Sequence, residues 1–476
     1  MTSLKIRHLK ELFTKWSGEK VQQISQLPVS GSDREYYRIK GRVNQAIGVY
    51  NDNKKENIAF ISFTRHFIKK ELPVPELLAK NVHDDVYLLQ DLGDETLFSF
   101  INGQGQRFGK KTVALYKSII DSLIDFQTKG GEGLDYSVCY PREQFDKQSM
   151  MWDLNYFKYH FLKLAQISFD EQALEDDFHK LSDFLLSADC NYFLYRDFQS
   201  RNIMLPDETP CFIDYQGGRK GALAYDPASL LFEGKINMPF DLREELLDYY
   251  IERINNKAGI NTLDFRKYYY GYALIRLLQA HGAYGFRGLY EKKQLFIDSI
   301  PYGLQNIKWL LEKVNWPIQL KYLFNILEEM INSEKLQNQI NENKKLTLTI
   351  NSFSYRRGIP YDKTGNGGGF VFDCRGLKNP GRFEEYKELT GLDQPVIDFF
   401  HKYSKNDIEQ FLDSVIKVID YNIKSYIDSG YDNLMVSFGC TGGQHRSVYC
   451  AERLAEKLKD EKVIDIILEH KELSKK

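Results

Sequence analysis

Residues 192–218 constrain this chain more than any other stretch. The apolar run Tyr192-Phe193-Leu194 enters a polar turn that holds Asp197 and, five positions on, Asn202. Ile203-Met204-Leu205 follows, then a turn bounded by Pro206 and Pro210, then Cys211-Phe212-Ile213 ending at Asp214. Short apolar runs separated by a Pro- and acid-rich turn read as a β-hairpin. An Asp and an Asn in one turn commonly satisfy only their own backbone. Asp197, Asn202 and Asp214 in this order between apolar strands are much harder to obtain by chance. Phosphoryl transfer needs such a set, because its catalysis is mostly positioning and charge neutralisation: one carboxylate orients the acceptor hydroxyl, while an Asn and a second Asp hold magnesium on the nucleotide phosphates.

Tyr195-Arg196-Asp197 stands where protein kinases have His-Arg-Asp, and Ile213-Asp214-Tyr215 where they have the metal-binding tripeptide. The run resembles the aminoglycoside phosphotransferase branch of the kinase-like fold, and Tyr225-Asp226-Pro227-Ala228-Ser229-Leu230-Leu231 resembles that family's next landmark, an Asp that braces the catalytic loop. The resemblance implies a two-lobed α+β kinase-like fold using ATP and Mg2+, with Asp197 catalytic and Asn202 and Asp214 holding the metal.

Upstream, residues 22–50 read as the start of a nucleotide-binding sheet. The turn with Ser30, Gly31 and Ser32 is small enough for backbone N–H groups to approach phosphates, and an ordinary hairpin turn would look the same. Strand Gln45–Tyr50 lacks the lysine that pairs with nucleotide phosphates in kinase-like proteins, an absence shared with kinases of cell-wall amino sugars. Arg34 is the candidate substitute; Lys54 and Lys55 fall in the polar turn 51–56, read as a solvated face. Residues 57–80 read as a helix and a Pro-bounded connection. Val86 to Asp94 is similar to the strand and hinge whose backbone meets adenine, with Gln90 and Leu92 the candidate contacts. Helices are expected over 112–128, 144–164 and 242–314. Trp152 and Tyr156 read as core or as a stacking face for a sugar. Arg276 and Gln279 lie three apart on one helix face and either border the acceptor pocket or stabilise the bundle.

Residues 331–345 are polar and charged, a linker or surface helix between domains. Beyond them, Leu346–Tyr355, Phe370–Arg375 and Asn433–Gly439 read as strands, the last running through Cys440-Thr441-Gly442-Gly443-Gln444-His445-Arg446-Ser447 into a helix. A strand, a glycine-rich loop and a helix N-terminus form an anion site, to which Arg446 adds a guanidinium fork. Together with Ser352 to Gly358, Asp373-Cys374-Arg375 and Thr390-Gly391-Leu392-Asp393, this run resembles the C-terminal domain of the RNase adapter protein of RapZ type. That implies a sugar-phosphate site, for glucosamine 6-phosphate or a relative, on Arg356, Arg375, Cys440, Thr441, Gly442, Gly443, Gln444, His445, Arg446 and Ser447. Gln444 replaces a basic residue and Gly381 stands where a His is expected, so RNA binding loses support. From spacing alone, Cys440 with Arg446-Ser447 matches the phosphate loop of cysteine phosphatases. No general-acid Asp can be assigned, which favours phosphate binding without hydrolysis. Cys440 as a buried packing thiol stays open as well.

The expected organisation is a kinase-like domain over 1–335 (lobes about 1–93 and 94–335), a linker over 336–345 and a separate α/β domain with a phosphate-binding loop over 346–476. With 64 basic and 66 acidic residues and no long charge blocks, a broad nucleic-acid-binding face is not indicated. No stretch is apolar enough to span a bilayer, and the six cysteines lack metal spacing and read as reduced thiols, so a cytoplasmic protein is expected. The leading expectation is an amino-sugar kinase fused to a sugar-phosphate-binding domain. Its rival is a non-catalytic sensor that binds nucleotide and sugar phosphate.

Overall fold

A computed structural model describes residues 2–28, 34–81, 83–342, 346–362, 368–428, 431, 433–459, 461 and 463–473. The turn with Ser30, Gly31 and Ser32 lies outside them. The chain divides into two compact units, Met1–Gln337 and Asn338–Lys476. Helix Glu334–Glu342 runs across the division, where sequence suggested a linker or surface helix.

The first unit opens with helix Thr2–Ser17 and a five-stranded antiparallel sheet: β1 (Gln23–Gln26), β2 (Glu35–Lys40), β3 (Gln45–Tyr50), β4 (Leu77–Asn81) and β5 (Val86–Leu89), in the order β1-β2-β3-β5-β4. The helix buries Leu9, Leu12 and Phe13 against Tyr37, Ile39, Ala46, Val86 and Leu88. It approaches so closely at Gly48 that a Cβ there would lie 2.9 Å from Leu9 Cδ2 and 2.8 Å from Ile39 Cδ1. Residues 51–56 depart from the expected polar turn, because the Asn53 side chain accepts from Glu56 N at 3.2 Å and caps a helix, Lys54–Lys69. Lys54 and Lys55 therefore lie in its first turn.

The remainder of this unit is mainly helical. Helices Lys110–Asp125 and Lys147–Phe157 run into single π-helical turns, Phe126–Gly130 and Lys158–Leu162. The region expected to be helical over 242–314 is broken into Phe240–Ala258, Thr262–Ala283, a π-helical turn Tyr284–Tyr290, Gln294–Ile297 and Ile300–Lys313. The expected hairpin is formed by β7 (Ile203–Met204) and β8 (Cys211–Phe212), antiparallel, and beside it β6 (Tyr192–Leu194) pairs with β9 (Arg219–Gly221). A sheet lobe followed by a helical lobe, with this hairpin at their cleft, is the two-lobed α+β kinase-like fold.

The second unit holds β10 (Leu346–Ser354), β11 (Gly369–Asp373), β12 (Asn433–Cys440) and β13 (Ile464–His470), ordered β11-β12-β10-β13 with every pairing parallel. Helices Gln394–Tyr403, Lys405–Asp428 and Arg446–Leu458 complete it. β12 is buried at every position, as an interior parallel strand covered by helices must be. It ends at Cys440, so the residues that follow emerge at the carboxyl end of the sheet, where α/β folds bind ligands.

Candidate functional site

In the first unit a cleft of about 1240 Å³ lies between the sheet and the helical elements. Asp197, Asn202 and Asp214 all line it, as do Gln90 and Leu92 of the hinge. Asn202 ties the hairpin together: its Nδ2 donates to the Asp197 carbonyl at 2.9 Å and to Asp214 Oδ2 at 3.3 Å. Asp214 Oδ1 accepts from Gln216 Nε2 at 2.7 Å. Burial and the nearby Asp197 charge push the Asp214 carboxyl up, against the Gln216 hydrogen bond and the Arg34 charge that favour its ionised form.

The loop is held from behind. The Asp226 carboxylate accepts from the backbone N–H of Tyr195 and Arg196 at 2.8 and 3.0 Å, the bracing role that its sequence context implied. Burial pushes this carboxyl up to about 7 despite those bonds. Arg196 takes φ +82°, a costly conformation for a side-chain-bearing residue. It is kept there by a bidentate pair to Asp153 at 2.8 and 2.7 Å and a 2.6 Å bond to the Tyr225 hydroxyl. Asp214 is likewise left-handed, at φ +69°.

Arg34 is 3% exposed. Its Nη2 lies 3.3 Å from Glu56 Oε2 and its guanidinium 5.6 Å from the Phe60 ring centre, both on helix Lys54–Lys69. The hinge is fixed by Arg38 on β2, which grips Asp91 at 2.7 and 3.0 Å and Asp94 at 3.0 Å.

Sequence reasoning passed over Glu56, Asp153, Arg201, Gln216 and Glu233. Glu56 was legible, since Asn53 three residues earlier is a helix-start signal. Arg201 and Gln216 stand in the hairpin run itself, one and two residues from Asn202 and Asp214, whereas Asp153 and Glu233 reach the site only through packing. Conversely, Arg276 bonds Ser229 Oγ and Gln279 Oε1 at 3.0 and 2.6 Å and braces the helices. Trp152 is 46% exposed and Tyr156 lies against Gly282 and His160; neither lines the cleft.

The residues at the hairpin suit magnesium. Gln216 Oε1 is buried without a hydrogen-bond partner beside the Asp214 carboxylate, so an amide oxygen and a carboxylate, the oxygen donors magnesium takes, lie together. Among the described residues no group of three or more His, Cys, Asp or Glu is placed to hold a metal ion by itself.

In the second unit the loop after β12 wraps a thiol. Cys440 Sγ lies 3.2 Å from Ser447 Oγ and accepts from Gly443 N at 3.2 Å. Burial pushes this thiol up, but those bonds and the Arg446 charge outweigh it and leave it below its ordinary value. Arg446, 5% exposed, donates from Nη1 to the carbonyls of Arg375 and Leu377 at 2.9 and 3.1 Å, while its Nε has no partner. Gln444 and His445 turn away to brace a neighbouring segment, donating to the Leu389 carbonyl and meeting the Tyr386 carbonyl at 2.6 and 2.7 Å. Gly391 N donates to the Gln444 carbonyl at 2.9 Å, a close approach in which a Cβ would sit 2.4 Å from the His445 carbonyl oxygen. Gly381 likewise faces the His445 ring, 3.2 Å from where its Cβ would be. Arg375 pairs with Asp373 at 2.6 Å and stacks 4.2 Å from the Tyr355 ring centre. Thr441, Gly442 and Gly443 form the loop itself, and Arg356 is exposed beside it.

No helix among the described residues is long and apolar enough to cross a membrane. The first unit is similar in fold to a choline/ethanolamine kinase family protein from Mesorhizobium loti (TM-score 0.45, 14% identity, covering 70% of this chain and 99% of that one). It is also similar to an ethanolamine kinase of Plasmodium vivax (TM-score 0.43, 12% identity, 60% and 82%) and to a thermostable mutant of an aminoglycoside phosphotransferase (TM-score 0.41, 16%, 64% and 99%). Among curated relatives, a nucleotide-binding protein of Thermotoga neapolitana is 37% identical over 139 residues, 29% of this chain and 47% of the relative. One of Verminephrobacter eiseniae is 45% identical over 117 residues, 24% and 36%. The chain thus spans about half, or less, of the length of the curated relatives it matches. Residues 346–474, the sheet and thiol loop of the second unit, match the family described as the RapZ C-terminal domain.

Proposed function

We propose that the first unit is an ATP- and magnesium-dependent small-molecule kinase acting on an amino sugar of the N-acetylmuramate/N-acetylglucosamine type, and that the second unit binds a sugar phosphate such as glucosamine 6-phosphate. The observation that carries the kinase reading is the convergence of Asp197, Asn202 and Asp214 on one cleft, cross-linked by the Asn202 amide. Asp197 would orient the acceptor hydroxyl and receive its proton as the new oxygen–phosphorus bond forms and the bond to ADP breaks. Asn202 and Asp214, with Gln216 beside them, would hold magnesium, which when bound neutralises charge on the nucleotide phosphates. Gln90 and Leu92 would present the hinge backbone to the base. Arg34, anchored by Glu56, would supply the cationic charge that the strand lysine supplies elsewhere. Ser30, Gly31 and Ser32 would cover the phosphates.

In the second unit, loop N–H groups, the N-terminus of helix Arg446–Leu458 and the Arg446 guanidinium supply the donors an anion needs. The second reading there, a cysteine phosphatase, draws on the lowered Cys440 thiol. Against it stands the burial of that sulfur, 3% exposed, with both polar neighbours already bonded to it. The test is product formation from ATP and magnesium over a panel of amino sugars, with Asp214→Ala as control and glucosamine 6-phosphate added or omitted. Turnover lost in Asp214→Ala supports the kinase. Retained nucleotide binding with no product from any sugar would replace it with a sensor.

A further inference from the structure

The catalytic loop hangs between two carboxylates of one segment. Asp226, in the first turn of helix Tyr225–Leu231, takes the backbone N–H groups of Tyr195 and Arg196 at one end of the loop. Glu233, just past the end of that helix, takes the other end: its Oε2 accepts from Ser200 N at 2.7 Å and its Oε1 from Ser200 Oγ at 2.8 Å. A carboxylate that spends both oxygens on one residue, through two charge-assisted bonds, fixes that residue in place and in orientation. Burial pushes the Glu233 carboxyl up, while the Ser200 bonds and the charges of Arg201 and Arg276 oppose the rise.

Ser200 is fully buried and opens a one-turn 3-10 helix, Ser200–Asn202. Arg201 rests its guanidinium 4.4 Å from the Phe98 ring centre, and Asn202 closes the turn, its N donating to the Gln199 carbonyl at 2.9 Å. The Asn202 amide nitrogen is committed to the Asp197 carbonyl and to Asp214 Oδ2, which leaves its oxygen as the group it can offer a cation. Only Arg201 separates the gripped residue from Asn202, so a shift at Ser200 has no slack in which to be absorbed. Glu233 lines the same cleft as Asn202 and Asp214, yet both of its oxygens are turned onto the loop. We infer that Glu233 is a positioning residue for the metal: by holding Ser200 at two points it sets the turn that brings Asn202 against Asp214, and it acts through Asn202 rather than on nucleotide or acceptor. This rests on the magnesium site of the kinase reading and adds to it the residue that keeps the site in register, as groups behind metal ligands do.

The experiment measures ADP affinity of the full chain by titration calorimetry, with and without magnesium, in the native protein and in Glu233→Ala, Glu233→Gln and Ser200→Ala. Magnesium should tighten ADP binding to the native protein. Glu233→Ala should cut that gain by about tenfold, with affinity in the absence of magnesium unchanged. Glu233→Gln keeps an oxygen for Ser200 and should recover part of the gain; Ser200→Ala loses the hydroxyl alone and should lie between the native protein and Glu233→Ala. Combining Glu233→Ala with Ser200→Ala should cost less than the two losses added, because the pair works as one. Thermal unfolding verifies that the variants fold, and if Glu233→Ala does not, Glu233→Gln and Ser200→Ala decide the matter. With an acceptor that turns over, the magnesium concentration giving half-maximal rate should rise in Glu233→Ala while KM for the acceptor stays put. An equal loss of ADP affinity with and without magnesium overturns the inference. So does a raised acceptor KM at unchanged magnesium dependence, which would make Glu233 an acceptor contact. If no sugar is phosphorylated but magnesium-linked ADP binding weakens in Glu233→Ala, the positioning role stands while the kinase reading fails. ADP binding that ignores magnesium in the native protein sinks both.

Discussion

The hairpin of the first unit and the loop after β12 of the second gather opposite charge. In the first, Asp197 and Asp214 face one cleft, and the Asp214 carboxyl is raised by burial and by its neighbour's charge. Such a site is relieved by a cation. In the second, N–H donors and the Arg446 guanidinium surround a thiol that sits below its ordinary value. Such a site is relieved by an anion. The lesson is that a glycine, an amide or a buried arginine near phosphate has no fixed meaning; the sign of what it surrounds decides whether metal or phosphate completes the site.

Four changes would break or sharpen this contrast. The largest effect is expected from Asp153→Ala, which strands the buried Arg196 guanidinium; we expect a loss of about 3–5 kcal/mol in chemical denaturation followed in the first unit, and an unchanged curve would show that Arg196 does not depend on this pair. Next comes acid sensitivity. Burial holds His281 at about 4, against 6.5 when unfolded. Its contribution is present in full above pH 6.5 and is lost as pH falls to 4, because the unfolded chain takes a proton that the folded one refuses; at full development this is about 3 kcal/mol. Amide protection factors in helix Thr262–Ala283, corrected for the intrinsic pH dependence of exchange, should fall over that window, and the fall should flatten in His281→Gln. An equal fall in the variant would move the cause to another group.

Asp197→Asn should lower turnover on the order of a hundredfold while leaving the fold and nucleotide binding in place. Steady-state rates on the best acceptor decide this, and undiminished turnover removes Asp197 from the proton path. The smallest change concerns the second unit. Ser447→Ala deletes the hydroxyl 3.2 Å from Cys440 Sγ, a contact that holds the thiol down, so the thiol should titrate higher and alkylation by iodoacetamide at neutral pH should slow by a few-fold, about what one hydrogen bond supplies. A faster reaction would mean that access, not the donor set, governs this sulfur.

Much of the architecture was legible because it rests on short-range patterns. Residues 45–50 and 346–355 read as strands and are found as β3 and β10, and the Pro-bounded turn at 206–210 marked the hairpin of β7 and β8. The reading failed where a cap or a bulge intervened: Asn53 starts a helix through what looked like a solvated turn, and π-helical turns interrupt helices whose apolar periodicity looked continuous. Gln444 and His445 looked like ligands of an anion and instead brace the segment near Tyr386 and Leu389. Their side-chain direction depends on a chain segment more than fifty residues away, which periodicity cannot see.

The sequence by itself determined the order of the chemistry: an Asp, an Asn and an Asp on a hairpin, and later a strand, a glycine-containing loop and a helix. Spacing along the chain is enough for that, since each set is built within one supersecondary unit. Only the tertiary structure decided which distant groups meet it. Arg34 at the start of β2 finds Glu56 on helix Lys54–Lys69, Asp153 and Asp226 clamp the loop at Arg196 from two helices, and Lys235, Arg287 and Lys293 line the same cleft as Arg201. Such meetings are set by how apolar faces pack, and the packing carries charges along with it that no local pattern records.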